Sequence, residues 1–287
     1  MLWSNYHNHS YYCDGVQSLE EHVLAAINQG IFSLGFSSHC PVPFANNWSM
    51  PQDRLQDYLN EVDQVKAKFA NQIQIYKSLE VDYIPGILGP SSSLIRKADL
   101  DYTIGAVHFV EAYDNGQPWE IDGPLHTFTK GLAAIFNNDV KKTVLRYFEL
   151  TRELLEKDCP TILAHADKIK MHNTSQHFFD ETEDWYRKTW LETLEVVRSK
   201  GAIVEINTRG VYKKKTLETY PGKAGIEDLL ALNIPICLNS DAHHPQEITG
   251  CFVETAHLLN SLGHKKLNVL HQGQWQEAAF DEQGLHL

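Results

Sequence analysis

The chain has 287 residues, 43% of them hydrophobic and 22% charged, which is enough apolar material for one large α/β domain. Its net charge of −12 includes no dense Lys/Arg block, and such a surface repels polyanions, so nucleic acid is not an expected partner. The five cysteines form no CxxC pair, and the first ten residues are polar and histidine-bearing. A disulfide framework, a zinc ribbon and a signal peptide are therefore not expected, and reduced thiols in the cytoplasm are. No apolar run reaches the roughly 20 residues that span a bilayer.

In chain order, short apolar runs alternate with amphipathic segments. A first strand is predicted over residues 2–9. Ser18 and Glu21 form a capping box for a helix that Gly30 stops. A second strand covers 32–39, a proline-marked loop follows, and a helix covers 53–69 with apolar residues at helical spacing. Further strands are predicted over 73–83, 102–109, 161–166, 202–207 and 235–240. Helices are predicted near 92–97 and over 125–136, 139–157, 181–200, 224–232 and 246–262. Residues 110–124 read as a polar loop, and 266–270 as a last short strand. Seven strand–helix units in alternation predict a mostly parallel sheet, closed into a single-domain barrel over residues 1–287 or, as the alternative, left open and doubly wound.

Histidine is abundant, with fifteen in the chain, and its placement is the informative part. The first strand ends in His7-Asn8-His9, with Asp14 beyond it. The second ends at His39, the third contains Glu80, the fourth ends at His108 and the fifth at His165. The seventh runs into Ser240-Asp241-Ala242-His243. In a parallel barrel all these termini share one face. A strand's side-chain period of two points His7 and His9 the same way, and likewise Asp241 and His243. Nine imidazole and carboxylate ligands exceed what one tetrahedral ion needs, so two or three divalent transition metals (zinc, manganese or iron) are expected. Glu80, with two oxygens to share, is the natural bridge. The remaining histidines, His22, His126, His172, His177, His244, His257, His264, His271 and His286, read as solvated.

The motifs His7-x-His9-Ser-x-x-Cys-Asp14-Gly15, Phe36-Ser-Ser-His39, Leu79-Glu80-Val-Asp82, Gly105-Ala-Val-His108, Ala164-His165-Ala-Asp167 and Ser240-Asp241-Ala-His243 resemble the ordered motifs of the PHP (polymerase and histidinol phosphatase) family, from about residue 5 to 260. The resemblance implies a distorted (β/α)7 TIM-like barrel. It implies one metal on His7, His9, Glu80 and Asp241, a second on Glu80, His108 and His165, and a third on Asp14, His39 and His243. Where some members carry a histidine, Asp14 keeps a ligand and adds negative charge. The segment Glu205-Ile-Asn-Thr-Arg209 is most similar to the histidinol-phosphatase branch, where the arginine binds phosphate.

What this resemblance implies is a cytoplasmic phosphoric monoester hydrolase acting on a small phosphorylated metabolite, L-histidinol phosphate in histidine biosynthesis, through a metal-bridging hydroxide. Glu80, Asp241, His243 and Arg209 would be its catalytic set. Lys168 and Lys170 are added here as further phosphate-binding cations, while 213–215 reads as a solvated run. The ammonium and imidazole of the substrate would meet Glu111, Asp114, Glu120 and Asp122 and the rings of Phe44, Trp48 and Trp119. Another small phosphoester, such as a sugar or nucleotide phosphate, and a non-catalytic metal-binding regulatory barrel are the alternatives. The completeness of the ligand set weighs against the last.

Overall fold

The computed structural model describes residues 2–287. In chain order the elements are β1 (Trp3–Asn5), α1 (Leu19–Asn28), β2 (Ile31–Phe36), α2 (Leu55–Lys68), β3 (Gln74–Lys77), β4 (Glu80–Asp82), α3 (Ser93–Lys97), β5 (Ile104–Ala106), β6 (Phe109–Ala112), β7 (Pro118–Glu120), α4 (Leu125–Phe136) and α5 (Val140–Asp158). They continue with β8 (Ile162–Leu163), α6 (Asn173–Gln176), α7 (Asp184–Lys200), β9 (Ile203–Asn207), α8 (Arg209–Tyr212), α9 (Lys223–Ala231), β10 (Ile236–Asn239), α10 (Phe252–Leu262), β11 (Lys266–His271), β12 (Gln274–Asp281) and β13 (Gly284–His286). The Ser18–Glu21 capping box that starts α1 is present in full.

Two parallel sheets, β1-β2-β3 and β4-β5-β8-β9-β10, make the barrel. They join at two places. β3 and β4 are one strand bent at Ser78 and Leu79: β3 pairs with β2, while β4 pairs with β5. At the other junction Asn8 bridges Ala242 in parallel, with His9 N donating to Ala242 O at 2.8 Å and Ala242 N to His7 O at 3.1 Å. The result is a ring of seven parallel strands, the bent strand counted once. The single strand predicted over 73–83 is thus two, because the ring turns its corner there.

A large apolar cluster lies between strands and helices, and a smaller one fills the lumen around Tyr6, Tyr76, Tyr102, Ile104 and Ile162. Gly35 is required at this point, since a Cβ there would sit 1.8 Å from the Tyr102 hydroxyl oxygen. Other segments depart from their predicted form. Residues 110–124 contain the antiparallel hairpin β6–β7. The helix predicted over 246–262 starts only at Phe252, because Cys251 takes a left-handed backbone (φ 58°). The last strand is in fact a three-stranded antiparallel sheet, β11–β12–β13. Gln272 and Gly273, both at positive φ, make the two-residue turn that pairs β11 with β12. Among the described residues no helix is long and apolar enough to cross a membrane.

Candidate metal centre

All nine predicted ligands converge at the C-terminal mouth of the barrel. Three groups place their ligand atoms within 4.8 Å of one another: His9, Asp14, His39 and His243; His7, His9 and Asp241; and His39, Glu80 and His108. Glu80 stands at the bend between the sheets and faces both ways. Its Oε2 lies 3.1 Å from His7 Nε2, 3.4 Å from His9 Nε2 and 3.0 Å from His39 Nδ1. Its Oε1 lies 3.0 Å from His165 Nε2 and 3.6 Å from His108 Nε2. His9 Nε2 is 3.1 Å from Asp241 Oδ1, and His243 Nε2 is 3.2 Å from Asp14 Oδ2.

These residues fit metal ions. His7 Nε2, His9 Nε2, His39 Nδ1 and Glu80 Oε2 are buried without a hydrogen-bond partner, and an orphaned polar atom in such a place costs free energy unless something coordinates it. Mixed imidazole nitrogen and carboxylate oxygen suit zinc, manganese or iron. Two of the candidate ligands sit in left-handed backbone, His165 at φ 22° and Asp241 at φ 53°, a strain that persists where the surroundings impose it.

The outer contacts aim the ligands. Glu205 is fully buried and accepts from His7 Nδ1 at 2.7 Å, from the His165 backbone N–H at 3.0 Å, and from the amides of Asn207 (2.7 Å) and Asn239 (2.9 Å). Asp82 accepts from His108 Nδ1 at 2.9 Å. Carboxylates behind imidazoles fix which nitrogen faces the metal. The sequence carried a signal for both: an acid inside the apolar run Ile203–Asn207, and a second acid two residues beyond Glu80.

Charges in the cluster balance one another. Burial pushes Glu80 upward, but His7, His39 and His108 outweigh it and hold the carboxyl well below its ordinary range. Burial likewise opposes the ionised form of Asp241, and His7 and Arg209 overcome it. His9 is kept neutral by burial and by its neighbours His243 and His39, the state a ligand nitrogen requires.

A cleft of about 280 Å³ opens over these ligands. Lys168, Lys215, Arg209, Trp48, Glu120 and Asp122 are among its lining residues. Arg209 donates to the Asp241 carbonyl at 2.8 Å. Trp48 packs edge-on against His39, with centroids 4.6 Å apart, and donates Nε1 to Glu120 at 2.8 Å. Asp122 lies 3.6 Å from Lys168 Nζ. Burial raises the Asp122 carboxyl, His108 and Lys168 lower it more, and it falls to about 2.

Several predicted contacts are not brought here. Lys170 turns away into a buried pair with Asp167 at 2.6 Å, because it lies on the far side of the tight turn that follows β8. Lys215 reaches the cleft although the run 213–215 reads as solvated, because its loop folds back on Gly210. Glu111 pairs with Arg146 outside the cleft, Asp114 is exposed at the hairpin tip, and Trp119 is buried against Phe128 and Phe136. Phe44 packs on Phe109. Of the histidines read as solvated, His22 and His264 are buried, with ring nitrogens paired to the Val16 and Ile226 carbonyls.

A seven-stranded parallel barrel with a multi-histidine carboxylate centre at its C-terminal mouth is the architecture of a metal-dependent hydrolase. The chain belongs to the PHP domain family, whose model matches residues 5–209. It is 26% identical over 254 residues to the "Probable histidinol-phosphatase" of Deinococcus radiodurans, covering 88% of this chain and 90% of that one. It is 24% identical over 264 residues to the histidinol-phosphatase of Bacillus subtilis, covering 84% and 94%. The fold is shared with the histidinol phosphate phosphatase of Lactococcus lactis, solved with zinc, L-histidinol and phosphate: the TM-score is 0.72 at 21% identity, over 100% of both chains.

Proposed function

We propose that the chain is a metal-dependent phosphatase that hydrolyses L-histidinol phosphate to L-histidinol and phosphate, with residues 1–287 acting as one catalytic unit. The observation that carries this reading is a cleft over the candidate metal ligands that is lined both by cations, Arg209, Lys168 and Lys215, and by the carboxylates of Glu120 and Asp122 and the Trp48 indole. The substrate carries groups complementary to both kinds of lining residue, a phosphate dianion for the cations and an ammonium with an imidazole for the carboxylates and the indole. The relatives named above carry the same activity in their names.

His7, His9, Glu80 and Asp241 would hold one ion, Glu80, His108 and His165 a second, and Asp14, His39 and His243 a third. Bound there, divalent ions acidify water and offset phosphate charge. Arg209 presents a planar donor fork to phosphate oxygens, and Lys168 and Lys215 add positive charge beside it. Glu120 and Asp122 pair with the substrate ammonium, and the Trp48 ring offers a face for the imidazole. Free thiols at all five cysteines suit a reducing compartment, so we place the reaction in the cytoplasm. The acidic surface and the small cleft disfavour nucleic acid.

The test is a comparison of L-histidinol phosphate with a neutral-tailed alkyl phosphate on the zinc-loaded protein. The expected result is a clear preference for histidinol phosphate in kcat/KM. Equal efficiencies would rule out a pocket for the amino-imidazole end. Arg209→Ala is expected to lower kcat/KM by on the order of 10²-fold, because a charge-assisted contact to the transition state is lost.

A further inference from the structure

Lys170 and Asp167 form a buried ion pair just outside the cleft, 5% and 3% exposed, which the assigned chemistry does not use. Lys170 Nζ also meets Glu181 Oε2 at 3.4 Å on the outer side, and a buried ion pair contributes little to stability compared with an apolar pair of the same shape. Its position suggests another purpose. Asp167 begins the tight turn after β8 that carries His165 at one end and Lys168 next to it. The same Asp167 oxygen that meets Lys170 also accepts the backbone N–H of Gly222 at 3.2 Å. Gly222 caps α9 and closes the loop 213–222, which carries Lys215 into the cleft. That loop also sets the Tyr220 ring 5.4 Å from the Lys168 ammonium. One carboxylate therefore ties together the two segments whose lysines line the cleft.

We propose that Asp167 is a positioning residue for phosphate recognition, holding Lys168 and Lys215 in register across the cleft, with Lys170 as its neutralising counter-ion. The inference rests on the phosphatase reading, but inorganic phosphate is used as the probe, so an error in the organic part of the substrate leaves the experiment intact. Lys170 is thereby given a role through Asp167 in place of direct contact with substrate.

The experiment measures inhibition by inorganic phosphate, and zinc content, on zinc-loaded full-length protein. Asp167→Ala combined with Lys170→Met removes both buried charges together, and the other partner of Lys170, Glu181, is exposed enough to be solvated. The phosphate inhibition constant is expected to rise about tenfold at unchanged zinc content, the order of effect seen when a supporting contact is removed. Asp167→Asn with Lys170→Met keeps an acceptor for Gly222 and is expected to return within about threefold of wild type. In a Lys168→Met, Lys215→Met background the alanine pair is expected to add less than about twofold, since residues acting through one another are not additive. An unchanged inhibition constant in the alanine pair, equal losses for alanine and asparagine, or a loss of zinc that parallels the loss of phosphate affinity would each overturn the proposal. If the alanine pair does not fold, Asp167→Ser with Lys170→Met takes its place. The short serine hydroxyl does not span to Gly222, so the same rise in the inhibition constant is expected, and an unchanged constant overturns the proposal there too. Wild-type protein that neither hydrolyses phosphomonoesters nor responds to phosphate overturns the phosphatase reading itself.

Discussion

The two ends of the barrel lumen are built from neighbouring residues and have opposite characters. At the floor the hydroxyls of Tyr6, Ser33 and Tyr102 are all hydrogen-bonded. Leu270 N donates to Tyr6 Oη at 2.7 Å, Ser33 Oγ donates to Leu270 O at 2.8 Å, and Tyr102 Oη donates to Tyr6 O at 2.5 Å. The rings of Tyr6, Tyr102 and Trp275 meet edge to face, with centroids 5.0 to 5.9 Å apart. One residue past Tyr6, at the mouth, His7 Nε2 has no hydrogen-bond partner, nor have His9 Nε2, His39 Nδ1 and Glu80 Oε2. A sealed floor contributes stability, while an unsatisfied mouth is where binding energy can be collected. The comparison predicts that substitutions at the mouth change chemistry and that those at the floor change stability alone.

The largest effect is expected at the bend. Glu80→Gln removes one charge and a strong ligand from both sides of the cluster, so turnover should fall by on the order of 10³-fold or more, far beyond any change in KM. Near-normal turnover in steady-state kinetics would mean that Glu80 does not bridge. Next comes the support behind the ligands. Glu205→Gln leaves the shape but weakens the hold on His7, and a drop of about 10- to 100-fold in zinc affinity or activity is expected. Zinc titration of the apoprotein measures it, and an affinity equal to wild type would detach Glu205 from the metal site.

A smaller effect concerns pH. His22, buried on α1, is pushed down to about 4, chiefly by burial, against the hydrogen bond to Val16. Its unfolded value is about 6.5, so the unfolded chain takes up the proton first. Stability is then full above about pH 6.5 and declines as pH falls toward 4, by on the order of a few kcal/mol. Thermal melts of wild type and His22→Gln across that window should converge at low pH, whereas parallel curves would remove His22 from the acid response. The smallest effect belongs to the floor. Tyr102→Phe deletes a buried hydrogen bond and leaves the Tyr6 carbonyl unpaired, at a cost of about 1–2 kcal/mol in stability. Its kcat should stay within about twofold of wild type. A large kcat loss in the folded variant would break the division between the two ends.

Much of the mouth is legible in the amino-acid sequence. Ligand-type residues close successive strands, and a strand's alternation together with a parallel ring sends such termini to one face. That reasoning needs only local periodicity and strand order, and the nine candidate ligands it names lie together at the mouth. It falters where a side chain's direction depends on a turn. Lys168 and Lys170 are two residues apart, yet one lines the cleft and the other is buried against Asp167. Lys215, in a run that looks solvated, reaches the cleft because its loop bonds back to Gly210.

Local sequence suffices for the alternation of strands and helices, for the positions of the ligands along it and for the family to which they point. These follow from side-chain period, capping and residue chemistry, all short-range properties of the chain. Only the folded ring makes the third strand bend so that Glu80 faces both groups of histidines, and sets Glu205 behind His7 from 198 positions away. It also brings the C-terminal strands to seal the floor through Tyr6 and Leu270. Such pairings are set by closure of the ring, a long-range constraint to which no local stretch of sequence refers.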